Sequence, residues 1–108
     1  MKEVKTFNSN EATLSVDLSE ATQAVKENRF EDAIKLSEII LKDHSDNIDA
    51  LYLASVSSRY LKNFDESKKF IEQLMGIAPD MGRAYQELGH IYRDTGNMEK
   101  AVIHYRQA

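Results

Sequence analysis

The sequence predicts an all-α solenoid, three helix–turn–helix units forming about six antiparallel helices in one row. Three observations predict it. Apolar residues recur at helical spacing along most of the chain, and one Pro and four Gly leave little room for a turn-rich β fold. The helical stretches are separated by polar breaks of only two to four residues, which makes successive helices antiparallel neighbours. Residues of matching size recur at a fixed step of 34 positions.

Taken in order, residues 1–12 carry no clear period and are expected to be a flexible lead-in, with Phe7 as the one side chain able to dock. The first helix carries Leu14, Leu18, Ala21 and Val25, and starts after Asn10 or after Asp17, where Asp17 and Glu20 have capping-box spacing. It stops near Asn28, a residue that tolerates a left-handed backbone. The second helix carries Phe30, Ala33, Ile34, Ile40 and Leu41, and ends in the polar run Asp43 to Asn47. A third runs from about Ile48 to Leu61. Asn63 and Glu66 form another capping box, opening a fourth that lasts to about Ile77. Pro79 then breaks the chain, because proline restricts the residue before it. The fifth and sixth helices span about Asp80–Thr95 and Met98–Ala108, joined by Gly96-Asn97, a left-handed C-cap followed by an N-cap.

The 34-residue step is the organising feature. Gly89 maps back to Ser55 and Ala21, Ala101 to Ser67 and Ala33, and Met98 to Phe64 and Phe30. Small residues therefore recur where two helix axes must approach, and bulky ones where each second helix begins. Gly89 sits inside the stripe Tyr85, Leu88, Tyr92, where it costs about 1 kcal/mol in helix propensity relative to alanine. Such a cost points to another backbone coming close there, with Ala101 on the next helix as the expected partner. One such unit cannot bury its apolar faces, whereas stacked units share a continuous core.

Tyr85-x2-Leu88-Gly89-x2-Tyr92 followed by Ala101-x3-Tyr105 resembles the tetratricopeptide repeat family. The resemblance covers roughly Leu14 to Ala108, as one domain over residues 13–108 with repeats at about 14–47, 48–81 and 82–108, the last truncated. It is strongest in the third unit and weakest in the first, where Asp17 and Glu20 stand in place of large apolar residues. The run from Gly82 to His90 also looks like the repeat arrays that precede a sulfotransferase domain in some bacterial proteins. Repeat arrays generally close with a polar helix. Since the sequence stops at Ala108 inside a second helix, it is expected to be a piece of a longer protein.

Composition and motifs narrow the function. There is no cysteine, so neither disulfides nor thiolate metal sites arise. No stretch approaches the roughly 20 apolar residues of a membrane span or the pattern of a secretory leader, and the expected location is the cytoplasm, with no membrane partner. A net charge of −4 argues against nucleic acid, as does a period of 34 rather than the 35 of a related helical-repeat family that reads it. His44, His90 and His104 do not pair at helical spacing, so no metal or cofactor is expected. The serine cluster at 55–58 falls on packing positions, and acid pairs such as Glu31-Asp32 and Asp65-Glu66 sit in first helical turns, where they complement the helix dipole. Catalysis by this chain is not expected.

The resemblance implies a protein- or peptide-binding module whose first helices line a concave groove. In the third repeat that face reads Arg83, Gln86, His90, Arg93, and in the second Asp49, Tyr52, Val56, Arg59, with Tyr60 alongside. The first repeat contributes Ser15, Leu18, Thr22 and Val25 or Lys26. The candidate ligand residues are Tyr52, Arg59, Arg83, Gln86, His90 and Arg93. Lys26 and the three arginines against Asp49 and Asp94 give the groove +2 on a −4 chain, which points to an acidic segment. The family's basic clamp for a C-terminal carboxylate is absent, since Leu18 and Thr22 stand where Lys and Asn are needed. The alternative implied role is substrate positioning within a larger enzyme such as a sulfotransferase. An uncovered C-terminal end exposing Tyr92, Val102, Ile103 or Tyr105 further implies a homodimer.

Overall fold

The computed structural model describes the backbone of residues 2–108 and the side chains of residues 13–108. Its described residues form six helices and no strand: α1 Lys2–Lys26, α2 Phe30–Asp43, α3 Ile48–Tyr60, α4 Phe64–Ile77, α5 Gly82–Asp94 and α6 Met98–Gln107. The all-α reading and the helix order hold. α1 begins at Lys2, rather than after Asn10 or Asp17. No Pro or Gly precedes its packed half, and once a helix exists each further residue adds a hydrogen bond at little nucleation cost. Phe7, singled out as able to dock, lies outside the residues whose side chains are described. None of the described helices is long and apolar enough to cross a membrane.

The 34-residue step is visible in the backbone itself. Asn28, Lys62 and Gly96 all have positive φ, at 61°, 66° and 88°. At each of them the chain closes the same pair of bonds: Arg29 N to Ala24 O, Asn63 N to Ser58 O and Asn97 N to Tyr92 O at 2.7–2.8 Å, and beside these Asn28 N to Val25 O, Lys62 N to Arg59 O and Gly96 N to Arg93 O at 2.9–3.1 Å. These are three Schellman turns in register, each tying off the last carbonyls of a first helix. Glycine is at ease in that conformation, whereas a lysine there is disfavoured by roughly 1–2 kcal/mol. The capping box expected at Asn63 does not form: its side chain makes no cap bond, whereas Asn47 and Asn97 accept from Ala50 N and Lys100 N.

Packing follows the predicted slots, with two adjustments. Ser55 and Ser67, at the α3–α4 crossing, exchange hydrogen bonds in both directions: Ser55 Oγ to Ser67 O at 2.8 Å, and Ser67 Oγ to Ser55 O at 2.7 Å. Two hydroxyls thus fit where the next repeat has Gly and Ala, because each satisfies the other helix's carbonyl. At Gly89 the nearest atoms belong to Tyr105 and not to the expected Ala101. A Cβ placed there would lie 2.6 Å from Cδ1 and Cε1 of Tyr105, one turn further along α6. The first obstacle to a larger residue at this glycine is therefore an aromatic ring.

The main core lies between the second and third units, built on Leu51, Ile71, Leu74, Ala84, Leu88 and Ile91. The first unit packs smaller groups, including Ala21, Ala24 and Ala33. Ser37, in the slot filled by Ile71 and Tyr105 later, buries a hydroxyl with no partner among the described residues. α3 touches α1 and α5 directly, whereas α2, α4 and α6 do not meet one another. The first helices therefore form the inner, concave layer and the second helices the outer one. The stack is elongated: its radius of gyration of 15.2 Å exceeds the roughly 13 Å of a compact chain this long.

Candidate functional site in the concave layer

Helical periodicity puts Asp49, Tyr52, Val56 and Arg59 of α3 beside Arg83, Gln86, His90 and Arg93 of α5 on the concave side. At one end, Arg83 Nη2 donates to Asp49 Oδ1 at 2.8 Å, joining the same position of consecutive repeats. The Arg83 guanidinium also lies 4.5 Å from the centre of the Tyr52 ring. Both members of this ion pair are largely solvent-exposed, 44% and 61%, so the pair orients Arg83 more than it stabilises the fold. Burial, followed by the charge of Glu87, pushes the Tyr52 hydroxyl pKa upward, and the phenol stays neutral.

At the other end Arg59 is placed inside the protein, its side chain only 8% exposed. It donates through Nε and Nη2 to the two carboxylate oxygens of Glu87 and through Nη1 to Asp94 at 3.0 Å. Burial works against the arginine's charge, yet the bonds and attraction of Glu87 and then Asp94 win, so its pKa rises further. For Glu87 burial is the larger influence and pushes the carboxyl up, with Arg59 pulling it back. These two directions favour different forms of the pair. The ionised form is the one the geometry fits, since a carboxylate offers Arg59 two strong acceptors whereas the hydroxyl oxygen of a protonated acid accepts only weakly. Asp94 is also held by Arg93 at 2.9 Å; burial raises its pKa but the two arginines bring it below the ordinary value.

Between the two ends, Gln86 is exposed. His90 is partly buried and shares a 2.7 Å hydrogen bond with the Tyr105 hydroxyl. Burial, and then the positive charges of Arg59 and Arg93, lower the His90 pKa and keep the ring neutral. On α1, the Thr22 hydroxyl donates to Leu18 O at 2.8 Å, within its own helix.

The structure thus brings Tyr52 to Arg83, links Arg59 to Arg93 through Asp94, and ties His90 to Tyr105. Arg59 is a buried anchor between repeats, and its charge is met from within. Sequence reasoning overlooked Glu87, which occupies the slot of apolar Leu53 one repeat earlier. An acid at a core slot is the signal that could have found it. Counting it, four basic groups face three acidic ones and the groove's excess is one charge rather than two. Among the described residues no group of His, Cys, Asp and Glu is arranged to hold a metal.

Residues 48–81 and 82–108 match the tetratricopeptide repeat family. Among solved structures, the crystal structure of MamA superposes with a TM-score of 0.81 at 17% identity, covering 98% of this chain and 61% of that one. A MamA structure designated MSR-1 gives 0.78 at 19%, covering 87% of this chain and 54% of that one. The second repeat domain of Spaghetti (RPAP3), bound to the HSP90 peptide SRMEEVD, gives 0.81 at 14% and covers 94% of both chains. The chain spans little more than half the length of the MamA chains. At these identities the likeness is one of fold.

Proposed function

The chain belongs to the tetratricopeptide repeat family, and from that premise we propose that its concave face, on α3 and α5, binds an extended, acidic segment of another protein as a non-catalytic scaffold. The observation that carries this reading is the cation Arg83, laid on Tyr52 and held by Asp49, with Gln86 exposed beside it and Arg93 nearly three turns further along α5. Beside the acceptor Asp49, the exposed Arg83, Arg93 and Gln86 amide supply donors, which match carbonyls and carboxylates of a bound chain. A domain of nearly the same length and fold holds a peptide containing two glutamates and an aspartate, which supports the ligand class. The grip differs from a terminal-carboxylate clamp, because Leu18 is apolar and the Thr22 hydroxyl serves its own helix. Arg59 and His90 act here as supports that fix the groove wall.

The test is capture of partners from the source lysate, identification of the bound segment, and titration of that peptide against Arg83→Glu/Arg93→Glu. The double reversal weakens binding about tenfold at low salt while helicity is unchanged, since each half-exposed charge contributes of order 1 kcal/mol or less. Added salt weakens the native protein's binding and affects the variant's less. Equal affinity of the two proteins at low salt would remove this face from the reading.

A second reading follows from the C-terminal end of the stack. α6 leaves Met98, Val102 and Ile103 at 55%, 41% and 51% exposure. Such a patch is matched by its own copy, which favours a two-fold dimer through α6. Sedimentation across concentration should show such a dimer. Val102→Lys, which copies Lys68 one repeat earlier, should shift it toward monomer. A monomer at every concentration overturns this.

A further inference from the structure

We propose that a cavity at the C-terminal ends of α3 and α5 is a pocket for an aromatic side chain flanked by acidic residues, so that a bound segment is anchored there by one ring. The proposal rests on the concave face being a peptide-binding surface, and adds a specificity determinant to it. At the junction of the first two repeats, Phe30 is covered by Tyr60, with ring centroids 4.6 Å apart and planes within 3° of parallel. One repeat later the slot of Phe30 is held by Phe64 and the slot of Tyr60 by Asp94. An aspartate is too short to cover a phenyl ring, and its carboxylate is drawn to Arg59 and Arg93 instead. What remains is a cavity of about 450 Å³ lined by Arg59, Tyr60, Lys62, Phe64, Arg93 and Asp94. The fold itself thus shows what fits the slot: a ring stacked on the phenylalanine.

Charge selects the surroundings of that ring. Three cations and one carboxylate line the cavity. Arg59 uses three of its five N–H donors on Glu87 and Asp94, leaving two. Lys62 has a left-handed conformation that glycine would suit better, and this exposed residue contributes a cation to the lining. Acidic neighbours of an incoming ring meet Lys62 and Arg93, while basic neighbours would be repelled.

The probe is the blocked tripeptide Glu-Tyr-Glu, titrated by NMR against the full chain, with Glu-Ala-Glu and Lys-Tyr-Lys as controls. Glu-Tyr-Glu should move the Phe64 ring signals and the amides of Lys62 and Arg93; Glu-Ala-Glu should bind up to about tenfold more weakly, the worth of one aromatic stack, and Lys-Tyr-Lys more weakly because its charges are repelled. Asp94→Tyr fills the slot from within, as Tyr60 does, and should lower affinity about tenfold or more. Lys62→Gly removes that cation at a backbone position that glycine favours, so a loss of binding there is not a loss of fold. Lys42→Gln, an exposed charge on the outer helix α2, should leave the tripeptide's affinity unchanged. Equal binding of Glu-Tyr-Glu and Glu-Ala-Glu, or undiminished binding by both Asp94→Tyr and Lys62→Gly, overturns the pocket. If the tripeptide leaves these signals still while a captured segment depends on Arg83, the pocket falls and the concave-face reading stands. If that segment ignores Arg83 and Arg93 as well, both fall.

Discussion

Glu87→Ala lowers the stability of the folded chain by about 3–5 kcal/mol, the range for removing one partner of a buried ion pair. Domains of this size are held by only about 5–15 kcal/mol, so this one change can place the protein near its unfolding threshold. The cause is local. Arg59 is 8% exposed, and Glu87, at 2%, accepts from two of its nitrogens. Alanine takes away both bonds and leaves the guanidinium buried with Asp94 as its one remaining carboxylate. Arg59→Lys tests the same contact from the other side: the charge stays, the two-pronged geometry does not. Replacing both members at once, Arg59→Met with Glu87→Leu, should recover most of the loss, because Leu53 already shows that the slot accepts an apolar side chain. Urea unfolding followed by helicity measures all three. A Glu87→Ala midpoint equal to that of the native chain would mean that water reaches Arg59 and the pair is not closed.

The same network marks where the sequence stopped being legible. Local rules were enough for the helices: Pro79 ends α4, Gly96 and Asn28 take the left-handed turns, and the small residues at 21, 55 and 89 fall on crossings. Lys62 was not legible as the third left-handed turn, since conformational preference would have put glycine there; only the 34-residue register identifies it. The start of α1 was misread for the opposite reason, as residues 2–12 hold no feature that would stop a helix.

For the groove, residue positions could be read but charge states of the surface could not. Arg59 finds its partners 28 and 35 residues away, and Arg83 finds Asp49 at 34. A charge tally along a helix face treats such groups as free, whereas stacking of the repeats places each beside a carboxylate of its neighbour. Arg83 and Asp49 occupy the same slot in adjacent units, so that pair was within reach of the repeat register. Glu87 was within reach too, because it falls in the slot of apolar Leu53, although nothing local distinguishes it from the solvent-facing Gln86 before it. Likewise the cavity over Phe64 exists because of what is missing at residue 94, and an absence shows only when one repeat is laid on the next.

Gly89→Ala destabilises the chain even though alanine is the better helix former. Two opposing effects decide the sign. The substitution gains about 1 kcal/mol of propensity inside α5. Against it, a Cβ at 2.6 Å from Cδ1 and Cε1 of Tyr105 must displace that ring, and overpacking of this kind costs about 1–3 kcal/mol. The ring has somewhere to go, because Tyr105 is only half-buried on the terminal helix, but moving it breaks the 2.7 Å bond between its hydroxyl and His90. The net loss for alanine is therefore about 1 kcal/mol, and Gly89→Leu, with a larger group in the same space, approaches about 3 kcal/mol. The decisive comparison removes the ring. In a Tyr105→Ala background the obstacle is gone, so adding Gly89→Ala should now raise stability by about 1 kcal/mol, the propensity gain alone. A reversal of sign between the two backgrounds, read from paired urea midpoints, is specific to this contact. If Gly89→Ala stabilises the native chain as well, the ring yields without cost and the glycine is not there to admit it.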